Sequence, residues 1–314
     1  MVLRSEQGET RILHRDGWTR RESAWARGTS IQVNADNYLY NVSFTPEGAT
    51  GLNLARGAFP TSPYRPSDQR DVVLGERCRV WLSEPTVHER VYGGPVLTCF
   101  TRDGIALWSG RLPPGGSAEI GSRMVSLERR AVAWSEVLPP REVLSWSYWA
   151  HHFPASPVDA MPAYETAGGG VVNRFHGELF AQSTRVGSFS LRNRNALMGY
   201  YVRQDRRTLT IQVSPQRPMP HPLTGGSEPL DRPPLHRFGE TCRWHRIDLG
   251  VRWGIVSTCV TGDGISLANA VDFHDPANQD EYHEVRNFRR GPPTAASMRP
   301  PPDIFDPWIA ALPQ

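Results

Sequence analysis

Apolar residues fall in short runs along this chain, and glycine, proline, asparagine and aspartate break the runs at close intervals. That rhythm predicts strands joined by turns. Thr10-Arg11-Ile12-Leu13-His14, the turn Arg15-Asp16-Gly17 and Trp18-Thr19-Arg20-Arg21-Glu22 read as a hairpin. Ser30-Ile31-Gln32-Val33 and Tyr38-Leu39-Tyr40-Asn41-Val42-Ser43-Phe44 read as a second, around the polar turn 34–37. Tyr38, Tyr40, Val42 and Phe44 share one face of it, because side chains alternate along a strand, and Leu39 lies opposite. Residues 177–181, 187–191 and 196–202 follow the same pattern, and 208–214 is the most regular strand. Residues 124–132 and 283–290 predict further strands, the proline-bearing stretches 55–70 and 215–234 predict loops, and few segments carry a helical period.

One hairpin is written twice. The first reads Gly75-Glu76-Arg77-Cys78-Arg79 and then Thr98-Cys99-Phe100-Thr101-Arg102-Asp103-Gly104-Ile105-Ala106-Leu107. The second reads Gly239-Glu240-Thr241-Cys242-Arg243 and then Thr258-Cys259-Val260-Thr261-Gly262-Asp263-Gly264-Ile265-Ser266-Leu267. Each Asp-Gly predicts a tight turn between two strands. The recurrence divides the chain into residues 1–164, with a cysteine hairpin at 74–109, and 165–314, with one at 238–271. The boundary falls in the stretch 145–172, where aromatics give way to prolines and to Gly168-Gly169-Gly170. The expected fold class is mainly β: two tandem domains, each a curved, half-barrel-like antiparallel sheet with one intradomain disulfide.

The four cysteines are the only ones in the chain, two to each hairpin. Cys78 and Cys99, and Cys242 and Cys259, bracket strand–loop–strand units that would set them across neighbouring strands, at a spacing that suits disulfides. Zinc or redox chemistry would ask for a Cys-x-x-Cys pair or closely spaced histidines, which neither hairpin has. Free buried thiols are the alternative. Disulfides persist in oxidising compartments, so the expected location is periplasmic or secreted, with the signal peptide lying outside this sequence.

Composition narrows the chemistry. The 314 residues allow two ordinary domains, and the 28 prolines and 28 glycines suit a turn-rich β chain. All 35 basic residues are arginine, so Schiff-base and P-loop chemistry are excluded for want of lysine. A formal charge of +3 argues against a dedicated nucleic-acid surface, and no apolar run is long enough for a transmembrane helix.

The pattern Gly-Glu-x-Cys, then Cys-x-Thr-x-Asp-Gly-Ile-x-Leu, at 75–78 with 99–107 and at 239–242 with 259–267, resembles that of bacterial lipoprotein-carrier-like (LolA-like) half-barrels and related envelope families. Ala106 and Ser266 stand where those families carry proline. The resemblance implies a curved antiparallel sheet whose concave side holds an apolar core or ligand.

Other candidates have weaker patterns. His274-Asp275, Asp280-Glu281 and His283-Glu284 suggest a divalent metal, but among loop residues and at no motif spacing, so no metal ligand is assigned. His245 beside Cys242 reads as a surface strand residue, and His151-His152, among aromatics before the linker, as part of a domain contact. Asp103 and Asp263 have a sufficient role in their turns. The doublets Arg20-Arg21, Arg129-Arg130, Arg206-Arg207 and Arg289-Arg290 read as solvated faces or edge guards. No catalytic residue and no cofactor is expected. The expected function is that of a non-enzymatic exported bacterial binding protein, holding an apolar small molecule or an envelope protein partner. The alternative is a structural or assembly subunit of a larger surface complex.

Overall fold

The computed structural model describes residues 2–5, 8–57, 64–83, 95–112, 119–154, 163–204, 206–214, 228–248, 255–272 and 281–313. The protein is mainly β, with antiparallel sheets, two disulfides and, among the described residues, no closed barrel. It divides into two compact units. The first comprises residues 1–144 and 307–314, and the second comprises 145–306. This cut by compactness differs from the cut by repeat near 165: the segment 145–153, which follows the first hairpin in sequence, belongs to the second unit.

In the first unit β1 (Val2–Ser5), β2 (Gly8–Arg15), β3 (Trp18–Trp25), β4 (Gly28–Ala35), β5 (Tyr38–Thr45) and β6 (Gly48–Arg56) make an antiparallel meander. The turn between β2 and β3 places Asp16 and Gly17 at φ of 46° and 81°, the left-handed pair that a two-residue hairpin turn requires. Register then sets whole rows on one face. Leu13, Arg20, Val33, Tyr40 and Leu54 lie opposite one another across five strands, and Val33, Tyr40 and Leu54 are fully buried. The neighbouring row on the other face runs Ile12, Arg21, Gln32, Asn41 and Asn53, and is polar after its first member. Helix α1 (Trp134–Val137) lies on the apolar face: Arg20 donates to the Leu138 carbonyl and the Trp18 and Trp134 rings meet edge to face. The Tyr40 hydroxyl donates to the carbonyl of Trp308 at 2.8 Å, and Trp308 is fully buried.

The cysteine hairpin continues the same sheet. Strands β7 (Tyr64–Val73), β8 (Glu76–Ser83), β9 (Val96–Thr101), β10 (Ala106–Arg111) and β11 (Glu119–Ser126) pair in sequence, and β11 pairs with β1. Two sequence expectations change here. Of the stretch 55–70 expected as loop, residues 64–70 belong to strand β7; Pro66 is tolerated because β7 pairs on one side only among the described residues and is bulged between Pro66 and Arg70. The strand expected over 124–132 stops at Ser126, and the chain then runs to α1.

The strands of the second unit divide between two sheets. One holds β12 (Tyr164–Gly168), β13 (Val171–His176), β14 (Leu179–Thr184), β15 (Phe189–Arg192), β16 (Ala196–Arg203) and β17 (Arg206–Val213), with β24 (Asn287–Arg290) beside β12. Gly169 and Gly170, at φ of 58° and 80°, are simply the β12–β13 turn. The other sheet holds β18 (Glu228–Pro229), β19 (Leu235–Arg237), β20 (Glu240–Asp248), β21 (Ile255–Thr261), β22 (Ser266–Asp272) and β23 (Glu281–Glu284). Helix α2 (Trp146–Trp149) opens this unit with Trp149 fully buried, and Asn193 donates from its amide to the His152 carbonyl. The chain returns to the first unit in a last short helix, α3 (Asp306–Ile309), which carries Trp308. No helix among the described residues is long and apolar enough to cross a membrane.

The two disulfides are Cys78–Cys99 and Cys242–Cys259, each joining adjacent strands. Around each the core is filled with aromatic volume placed differently. Across the first hairpin one row reads Val80, Cys99, Trp108; across the second it reads Trp244, Cys259, Ala268. The large ring has moved from one flank of the cysteine to the other and a small residue has taken its place, which conserves volume. The polar atoms follow. The Trp108 indole N–H donates to Asp71 at 2.9 Å, and opposite Cys242, where Asp71 stands opposite Cys78, the second hairpin has Leu235.

Candidate functional site: two clamped hairpin tips

The Thr-x-Asp-Gly-Ile motif folds the same way in both hairpins. The Thr101 amide donates to the Ile105 carbonyl and the Gly104 amide to the Thr101 carbonyl, closing a three-residue turn with Gly104 at φ 83°. The Thr101 hydroxyl accepts from the Ile105 amide and donates to Asp103. Thr261, Asp263, Gly264 and Ile265 repeat each of these bonds, with Gly264 at φ 91°. Threonine fits because one hydroxyl can accept and donate at once. The turn therefore leaves the Asp103 and Asp263 carboxylates aimed outward, with acceptor capacity to spare.

An arginine fills that capacity. Arg129 reaches Asp103 at 2.6 Å and Glu76 at 3.2 Å. Arg290 reaches Asp263 at 2.6 Å and Glu240 at 2.5 Å, and a second of its nitrogens lies 2.9 Å from Glu240. Each arginine thus ties the turn after the second cysteine to the strand that carries the first. The Arg129 guanidinium, and then the Thr101 hydroxyl, hold the Asp103 carboxyl well below the usual carboxylate range. Arg290 does the same to Asp263 and Glu240, against some desolvation. In sequence, Arg129 and Arg290 had read as solvated doublets. A usable signal was present: each doublet follows its hairpin's second cysteine at nearly the same distance, 30 positions from Cys99 to Arg129 and 31 from Cys259 to Arg290.

The neighbouring turn, between the strand before the first cysteine and the strand that carries it, carries an unusual backbone. Leu74 and Phe238 precede Gly75 and Gly239 at φ of 57° and 54°, a left-handed conformation that bulky side chains avoid. Both are nevertheless exposed, Leu74 by 51% and Phe238 by 43%. Neither burial nor turn chemistry calls for a large apolar residue at this position, where asparagine or aspartate would cost less. Strain held at an exposed position points to use of the side chain.

The two tips are not identical. At the first, Gly75, Glu76, Arg77, Thr101, Arg102, Asp103 and Arg129 line a broad, open depression of about 670 Å³. Arg77 and Arg102 are exposed and have no ion-pair partner among the described residues. The second tip carries Thr241 and Gly262 at these places. There Phe238 leans on Phe288 with ring centroids 6.1 Å apart, and the Arg290 guanidinium lies over the same Phe288 ring.

The remaining candidates separate. His245 is half-buried on β20, where the first hairpin has Trp81, and its Nδ1 is enclosed without a hydrogen-bond partner among the described residues. The His151 and His152 rings lie 3.8 Å apart, tilted by 42°, in the helical segment of the second unit. His274, Asp275 and Asp280 lie outside the described residues, as do the side chains of Glu281 and His283. Among the described residues no three of His, Cys, Asp and Glu are grouped so as to hold a metal ion. A scan against protein-family models finds no match to the chain, and a search of the curated proteins finds none either.

Proposed function

We propose that the protein is a non-enzymatic, exported binding protein of the bacterial envelope, and that it holds a protein partner through its hairpin tips. In this reading the chain is a tandem duplication, and each half is a platform for one tip. The observation that carries it is the strained, exposed apolar residue, Leu74 in one hairpin and Phe238 in the other, seated beside an arginine clamp in both. A disulfide, a threonine-bonded turn and an arginine bridge all converge on holding that residue outward, which is the economy of a recognition surface. Location outside the cytosol is supported by the two disulfides. Of the two expected occupants, the exposed tips favour a protein partner over an enclosed apolar ligand.

The test is affinity capture from the envelope fraction of the host, run in parallel with the wild-type chain and the Leu74→Asn/Phe238→Asn double variant. Asparagine accepts a positive φ without strain, so the variant keeps its fold. A partner retained by the wild type and lost by the variant supports the reading. Equal retention by both overturns it.

A further inference from the structure

We infer that the first tip takes an acidic segment of the partner, with its carboxylates bound by Arg77 and Arg102 and an apolar side chain resting on Val72 and Leu74. This rests on the function proposed above and names the chemistry of the partner at one of the two tips.

The argument begins with charge left over. Around the first tip stand three guanidiniums, of Arg77, Arg102 and Arg129, against two carboxylates, of Glu76 and Asp103. Arg129 is consumed by those two carboxylates. Among the described residues Arg77 and Arg102 are thereby left as exposed, unpaired forks on the rim of one depression, with β8 supplying the first and the turn between β9 and β10 the second. Around the second tip stand two guanidiniums, of Arg237 and Arg290, against three carboxylates, of Glu240, Asp263 and Glu284, and Arg237 is bonded to Glu284. The tip that lacks the two extra arginines is net negative; the tip that has them is net positive. Planar guanidinium forks match carboxylates bidentately, and at a solvent-open rim they govern selectivity and association rate.

The apolar component sets the class of ligand. Val72 lies directly across the ladder from Arg77 and is 57% exposed, and Leu74 follows it at the turn. A small inorganic anion would use the arginines and ignore these two residues. A polypeptide with alternating acidic and apolar side chains would use both, and the depression is open enough to admit a chain passing through it.

The experiment uses the full chain and a fluorescein-labelled peptide of alternating glutamate and leucine, read by anisotropy at low salt. The comparison protein is Arg77→Thr/Arg102→Gly, which installs the residues of the second tip. Neither arginine has an ion-pair partner among the described residues, so the variant should melt with the wild type. The expected result is saturable binding that weakens with added salt, is at least tenfold weaker in the variant, and is not matched by a serine–leucine peptide. No saturable binding to the wild type, equal binding by the variant, or complete displacement by equimolar tripolyphosphate would each overturn the inference. The proposed function is judged separately. If the envelope partner is lost from Leu74→Asn/Phe238→Asn but kept by Arg77→Thr/Arg102→Gly, the acidic-segment inference fails and the binding function stands.

Discussion

The two hairpin tips share a backbone and differ in what surrounds it. Both have the disulfide, the threonine-bonded turn, the clamping arginine and the bulky residue at positive φ. At the second tip the clamp is fuller, since Arg290 grips Glu240 through two nitrogens where Arg129 uses one, and the apolar tip residue rests on Phe288. At the first tip the clamp is looser, and two arginines with no ion-pair partner among the described residues open onto solvent. A shared framework with opposite residual charge separates scaffold from specificity. What is common to both tips must serve folding or presentation, and what differs can serve choice of partner.

The largest effect should come from the cores behind the tips. Trp108→Ala removes a buried ring and leaves Asp71 without its indole partner, and should cost about 3–5 kcal/mol in chemical denaturation. Trp244→Ala should cost a similar amount. The sharper experiment is transplantation: Val80→Trp/Trp108→Ala/Asp71→Leu gives the first hairpin the arrangement of the second, and should recover at least half of the loss. If it recovers nothing, the two cores are not interchangeable solutions to one packing problem.

Next come the disulfides. Their loops span 21 and 17 residues, so the chain-entropy argument gives each about 3 kcal/mol and hardly distinguishes them. Replacing either cysteine pair by alanine should destabilise its own unit by that order, and thiol titration of the denatured, unreduced wild type should find no free thiol.

Much of this was legible in the chain, for identifiable reasons. Strand positions along β2 to β5 follow from alternation, because a half-buried sheet imposes a period of two on its sequence. The cysteine pairing follows from spacing. The matched spacing of Arg129 and Arg290 behind the second cysteines marks them as equivalent but does not show them as clamps, because an arginine's partners are set by tertiary distance, and a doublet reads the same whether it meets solvent or a carboxylate. The exchange of the segments 145–153 and 307–314 was hidden for the same reason, since aromatic content marks burial without saying which unit buries it. Pro66 argued for loop, and an edge strand with a bulge overrode it.

The clamps should show in the response to acid. Asp103 and Asp263 have carboxyl groups held below their ordinary range by the arginines. A carboxylate depressed in the folded state contributes stability above its unfolded value, near pH 4, and loses it as pH falls further. Thermal stability should therefore decline below about pH 4. Asp103→Asn and Asp263→Asn should each flatten that decline. Desolvation opposes the shift more at Asp263 than at Asp103, so the flattening should be greater for Asp103→Asn, even though the Arg290 clamp makes more contacts. A steeper contribution from Asp263 would mean that contact number outweighs burial.

The smallest expected effect bears most directly on function. If Leu74 and Phe238 are retained for recognition, removing their strain should stabilise the protein while weakening its binding. Leu74→Asn keeps the turn, relieves a left-handed leucine and exposes less apolar surface, and should raise stability by about 0.5–1 kcal/mol. Phe238→Asn relieves the same strain but gives up the contact with Phe288, so the gain should be smaller or vanish. The ordering of the two variants is the informative quantity. A gain at Leu74 that exceeds the change at Phe238 fits a first tip held in a costly conformation for contact with a partner and a second tip partly satisfied within its own unit. Destabilisation at Leu74 would show that its side chain contributes to the fold, and the case for a presented residue at that tip would be lost.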